Sequence, residues 1–292
     1  MEKNKLRKAS EIAALVAAGL LVAAIPPIYI WRSMAPDLPT AVEATTEPVT
    51  EMLTETTATT ETTEPTTEPT TETTTEATTE PPPESVLLEV PYYSQQNLLP
   101  TGCELVSAKM LLEYYTEEEI PIEEIVQHTT CAYPQMIDGK SYAPHPEQAF
   151  IGSPWDPTSF GCYAPVIVDM MNDFLPDDTV AVDTSGTELQ ELAETYLPQG
   201  QPVLIWATIS MIENFPNLGW YLLDEDGDPT DEWYDWQANE HCLVLVGYDE
   251  DCYYFNDPYT WRSQTSYSRE LVEKRFEAIG KYSVAVVPAQ EE

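Results

Sequence analysis

The chain has 292 residues, with 12 Lys and Arg against 51 Asp and Glu, for a formal net charge of −39. A surface this acidic repels phosphate backbones, which argues against nucleic acid as a partner. The charge suits solubility outside the cell, and recruitment of basic peptides is the sharper reading of it. Five cysteines without a C-x-x-C pair are too few for a disulfide-built scaffold and argue against a structural zinc site. The odd count leaves at least one thiol unpaired, and Cys131 with Cys162 is the one bridge worth considering. The sequence calls for no metal and no cofactor.

Residues 1–34 read as a cytoplasmic basic stub followed by a signal-anchor. Lys3, Lys5, Arg7 and Lys8 precede an almost uncharged stretch, 12–31, that ends at Trp31. About twenty apolar residues match a bilayer as a helix, and positive charge before them predicts the C-terminal side outside. A secreted chain released by signal-peptide cleavage is the alternative, with Ser33-Met34-Ala35 as a passable cut site. Residues 35–84, rich in Thr, Glu and Pro, hold almost nothing to bury and predict a disordered linker.

Residues 85–292 predict one domain. Val86–Val90 reads as extended, Cys103–Tyr115 as a helix, and Ile122–His128 as a second, short one led by Pro121. Pro, Gly and Ser make 129–162 a long loop. Helices follow at Tyr163–Phe174 and Thr187–Tyr196, then a buried strand at Gln201–Ile209 and a polar turn region at Asp224–Asp235. Cys242–Tyr248 and Tyr253–Asn256 predict a hairpin, Glu270–Ile279 a helix, and Ser283–Val287 a last strand. Helices first and strands later argue for an α+β fold.

The chemistry concentrates where Gln95 precedes Cys103, which opens the first helix after Gly102. The positive end of a helix favours a thiolate, and glycine there would let a substrate approach the sulfur. Against this stands the ordinary fate of a cysteine, burial as a small apolar residue. His241 stands at the mouth of an apolar strand, where it can serve as base or as a structural histidine. His128 suits a helix C-terminus and His145, between two prolines, a surface. The hairpin returns Asp257 towards His241, where its carboxylate could fix the imidazole tautomer; alone it would be a turn aspartate before proline. Gln95, or Gln96 in its place, can donate to an oxyanion together with the Cys103 N–H. Cys242 should face away from His241 by strand alternation. Trp220, Trp233 and Trp236 could line a cleft and Trp206 the core, with 219–236 a candidate lid.

With V-P-Y-Y-S-Q at 90–95, P-T-G-C-E at 100–104, G-C-Y-A-P-V-I at 161–167, P-V-L-I-W at 202–206, E-H-C-L-V-L-V-G-Y-D at 240–249 and N-D-P at 256–258, the chain resembles the stand-alone, extracytoplasmic C39-like cysteine peptidases of the papain-like superfamily. The resemblance spans 88 to about 287. It implies a papain-like fold, in which the helix carrying the nucleophile packs on a mainly antiparallel sheet. It also implies a Cys103–His241–Asp257 triad with Gln95 in the oxyanion hole. No exporter segment or nucleotide-binding motif accompanies these motifs, so the double-glycine leader substrate of exporter-linked relatives is not carried over. The expectation is a membrane-anchored cysteine peptidase acting on peptides or proteins. Transpeptidation, amide cleavage in cell-wall peptide, and a non-catalytic surface binding module are the alternatives. All the hydrolytic readings depend on ionisation of one sulfur.

Overall fold

Apolar runs long enough to be covered on both sides set the architecture. The computed structural model describes residues 82–289. The predicted stub, anchor and nearly all of the linker lie outside the described residues, and among those described no helix is long and apolar enough to cross a membrane. The first half contains β1 (Val86–Leu87), α1 (Cys103–Thr116), α2 (Ile122–His128), β2 (Cys131–Ala132), β3 (Gln135–Ile137), β4 (Lys140–Ala143), β5 (Phe150–Ile151) and α3 (Ala164–Asn172). There follow β6 (Thr179–Asp183), α4 (Leu189–Tyr196), β7 (Val203–Thr208), β8 (Pro216–Leu223) and β9 (Pro229–Gln237). The chain closes with β10 (Glu240–Tyr248), β11 (Cys252–Asn256), β12 (Thr265–Ser268), α5 (Arg269–Ile279) and β13 (Ser283–Pro288).

The fold is α+β. Its main sheet has seven strands in the order β12-β11-β10-β7-β13-β6, with β1 added on β10, and every pairing is antiparallel. β7 and β10 are buried at every residue. Alternation sends Leu204, Trp206, Cys242, Val244 and Val246 to one face, packed with Leu105, Val106, Ile167 and Met170 of α1 and α3. Val203, Ile205, Leu243 and Leu245 meet Leu192, Ala193, Val272 and Phe276 of α4 and α5 on the other. A sheet covered on both faces requires unbroken apolar strands, and this one has them.

α1 is the central helix, with residues 103–113 all buried, so its sequence carries little amphipathic contrast. Ser107 Oγ donates to the Cys242 carbonyl at 3.2 Å and ties α1 to β10. The helix ends where Glu117 turns left-handed, at φ 56°, with its N–H on the Glu113 carbonyl.

Several expectations need correction. The predicted loop 129–162 holds four short strands, and the predicted turn region 224–235 is mostly strand. β3, β4, β8 and β9 form a second, four-stranded sheet in which the turn at 224–228 is the tip of a hairpin. Trp220 and Trp236 stack at 6.1 Å in its buried side, with Phe160 edge-on to both. Trp233 is the exposed one. β6 and β12 were not expected from the sequence; each is a short, half-exposed strand at a sheet edge. Cys131 and Cys162 are not bridged: both are free thiols, Cys131 exposed and Cys162 fully buried.

Candidate active site

The nucleophile position is set by a tight approach to α1. The Gln95 carbonyl accepts from the N–H groups of Leu98 and Leu99, and Gly102 N–H reaches the Leu99 carbonyl at 3.3 Å. A Cβ on Gly102 would lie 2.7 Å from Leu99 Cβ. Glycine is therefore required by Leu99 folding over it, a reason different from the substrate access expected for it. Cys103 follows as the first helical residue, with its N–H outside the helical ladder.

His241 enters from β10 and Asp257 from the end of β11. The hairpin pairs Val244 with Asn256 and Tyr248 with Tyr253, and this register carries residue 257 back to the start of β10. His241 Nε2 and Asp257 Oδ1 are 2.7 Å apart, and both side chains are almost fully buried. Asp257 Oδ1 also accepts the Tyr259 N–H at 2.9 Å, so its carboxylate is held from a second side. Nε2–H donating to the carboxylate leaves Nδ1 as the nitrogen for proton exchange. Cys242 turns with Val244 and Val246 towards α1, on the face opposite Leu243 and Leu245.

Gln95 is buried and Gln96 is exposed. The Gln95 backbone N–H donates to the Pro258 carbonyl at 2.8 Å, which couples it to the Asp257 turn. Its Nε2 donates to the Pro100 carbonyl at 3.2 Å. An amide nitrogen carries two hydrogens, so one remains for an oxyanion. Gln96 Nε2 donates instead to the Tyr259 carbonyl at 3.1 Å. The other two histidines stand apart from this group: His128 Nδ1 meets Asp173 Oδ2 at 2.8 Å on the surface, and His145 packs edge-on against Tyr234.

The surroundings of the thiol work against the ionisation that its helix position suggests. Cys103 Sγ donates to Glu104 Oε2 at 3.3 Å. Burial pushes the thiol well above its ordinary range, and Glu104 and Glu240 push it further, while the Cys242 N–H pulls the other way. Desolvation and two carboxylates oppose the helix terminus here, so the surroundings favour the thiol over the thiolate that the sequence predicts.

Glu104 and Glu240 were not anticipated. Glu104 is fully buried, and its Oε1 accepts the Cys162 N–H at 2.9 Å. Trp206 Nε1 holds the carbonyl of the same residue at 2.9 Å. Burial pushes the Glu104 carboxyl up to about 7, against hydrogen bonds from its own N–H, the Cys162 N–H and the Cys103 thiol and the pull of His241. Each glutamate adjoins a residue singled out for catalysis and stands at the start of a long buried segment. A charge at the head of such a segment is the signal that could have found them.

The model of the Peptidase_C39 like family matches residues 87–284. The uncharacterized protein YvpB of Bacillus subtilis (strain 168) is 23% identical over 212 residues, covering 68% of this chain and 75% of that protein. A Bacillus anthracis crystal structure, provisionally named a C39-like peptidase, is 25% identical with a TM-score of 0.61, over 72% of this chain and 100% of that one. A double glycine motif protease from an AMS/PCAT transporter, solved with its leader peptide, is 14% identical with a TM-score of 0.38, over 70% of this chain and 93% of that one, too distant to bear on substrate. With the matched region spanning the described sheet and both covering helical layers, the chain belongs to the Peptidase_C39 like family.

Proposed function

We propose that this protein is a cysteine peptidase that cleaves peptide bonds through Cys103, His241 and Asp257, held at the outer face of a membrane by residues 12–31. The observation that carries the reading is the buried 2.7 Å His241–Asp257 pair on the strand that packs against α1, which Cys103 opens. Family membership supports it independently.

In this reading His241 Nδ1 takes the Sγ proton as the sulfur attacks the carbonyl carbon of the scissile amide. The oxyanion formed is met by the Cys103 N–H and the second hydrogen of Gln95 Nε2. Collapse breaks the C–N bond, and the imidazolium returns its proton to the leaving amine. Water, deprotonated by His241, then attacks the thioester carbonyl, the C–S bond breaks to release the acid, and the imidazolium returns its proton to Sγ. Asp257 keeps the ring in the tautomer that this cycle needs.

The test is cleavage of a peptide library by the full chain, against Cys103→Ala and His241→Ala, with products identified by mass spectrometry. Each substitution should lower kcat/KM by roughly a thousandfold or more. Equal cleavage by wild type and Cys103→Ala would remove the peptidase reading. Added amine acceptors distinguish hydrolysis from transpeptidation in the same products. Membrane fractionation, with and without residues 1–34, tests the anchor.

A further inference from the structure

Cys103 Sγ and one carboxylate oxygen each of Glu104 and Glu240 lie within 4.8 Å of one another, all three residues buried. Two carboxylates this close in a desolvated corner cannot both ionise cheaply, and like charges there raise each other's proton affinity. The corner is built to hold Glu104 in place. A Cβ on Gly161 would stand 2.2 Å from Glu104 Oε1 and 3.2 Å from Glu240 Oε1, so a glycine is what leaves room for both. The titratable groups that face the pair are Cys103 on α1, His241 and Cys242 on β10, Cys162 and Tyr163 from the segment entering α3, and Tyr234 on β9.

We propose that Glu104 and Glu240 share one proton, and that this proton sets how readily Cys103 gives up its own. The proposal rests on Cys103 being the nucleophile. Glu104 and Glu240 are positioning residues in it, because they act through the thiol. While the pair holds its proton, one negative charge faces the sulfur, and the thiol proton can pass to His241 Nδ1. Once the pair loses that proton, two negative charges oppose the thiolate. Ionisation of the pair and of the thiol are therefore antagonistic, and rising pH works against the nucleophile as well as for it.

The experiment alkylates the full chain with iodoacetamide across a pH series and follows the Cys103-containing peptide by mass spectrometry, which separates it from the exposed Cys131. Glu104→Gln and Glu240→Gln each remove one charge and the shared proton. The remaining glutamate then carries the same single charge as the protonated pair, so each variant should match wild-type Cys103 alkylation well below pH 7 and exceed it by roughly tenfold at about pH 9, as expected for about one unit of thiol pKa. A purely structural role would not shift that pH profile to lower pH. An unchanged or slower rate in the folded variants above about pH 7, or a response from only one, overturns the sharing. Infrared spectroscopy of wild type needs no variant. A protonated-carboxyl band should persist above the ordinary carboxylate range, from about pH 6, and vanish above the Glu104 value of about 7, and its absence in that window also overturns the proposal. Alkylation requires the thiol alone, so this result is independent of whether the Cys103→Ala chain loses cleavage.

Discussion

Glu104 carries a stability consequence of its own. Its folded carboxyl is raised from 4.5 to about 7, with burial as the main cause. Between those values the folded chain binds more protons than the unfolded one, so stability contributed by this group is fully present below pH 4.5 and is lost as pH rises through about 7. The thermal midpoint of wild type should therefore fall over that window more steeply than that of Glu104→Gln, whose residue 104 does not titrate. Matched slopes by scanning calorimetry would contradict the assignment. Asp257→Asn tests another buried acid: it keeps the volume but can present an N–H to Nε2, so kcat should fall by roughly a thousandfold or more while the chain stays folded. The residues of the candidate site were legible in different degrees. Cys103 and His241 stood out because each sits at the boundary of a long periodic segment. Asp257 depended on reading a hairpin. The ionisation of Cys103 was not legible, because it depends first on burial and then on Glu104 and on Glu240, which is remote in sequence and adjacent in space.

At the scale of elements, the long buried segments were readable and the short ones were not. α1, β7 and β10 announce themselves by apolar runs, and their observed limits differ from expectation by a residue or a few. The β8–β9 hairpin was misread because Asp, Glu and Gly at its tip dominate the composition, while its strands hide Trp220 and Trp236 by alternation. Gly219 offers a test of that hairpin. A Cβ there would come within 2.3 Å of the Tyr234 carbonyl oxygen and 2.5 Å of the Trp233 ring. Because backbone cannot yield as a side-chain tip can, Gly219→Ala should destabilise the chain by about 1–3 kcal/mol, measured by urea denaturation. Ser107→Ala removes the bond from α1 to the Cys242 carbonyl and should cost about 1 kcal/mol, with an accompanying loss of activity if the α1–β10 contact sets the site.

For the whole molecule, the net charge of −39 makes a distinct prediction. If basic peptides are drawn to this surface, KM for a Lys- and Arg-rich peptide should rise several-fold as salt goes from about 0.1 to about 1 M, where the screening length shortens from about 10 to about 3 Å. A neutral peptide should show no such rise, and kcat for both should hold. Equal salt dependence of the two peptides in steady-state kinetics would leave the charge with a solubility role alone. The sequence by itself determined the long helices and strands, the α+β class and the segments in which the sulfur, imidazole and carboxylates reside, since these follow from local periodicity and from the ends of periodic runs. Only the tertiary structure decided which groups share a buried corner and what charge each carries there, because desolvation and electrostatic coupling depend on neighbours brought from β10 and the approach to α3, and no spacing along the chain encodes them.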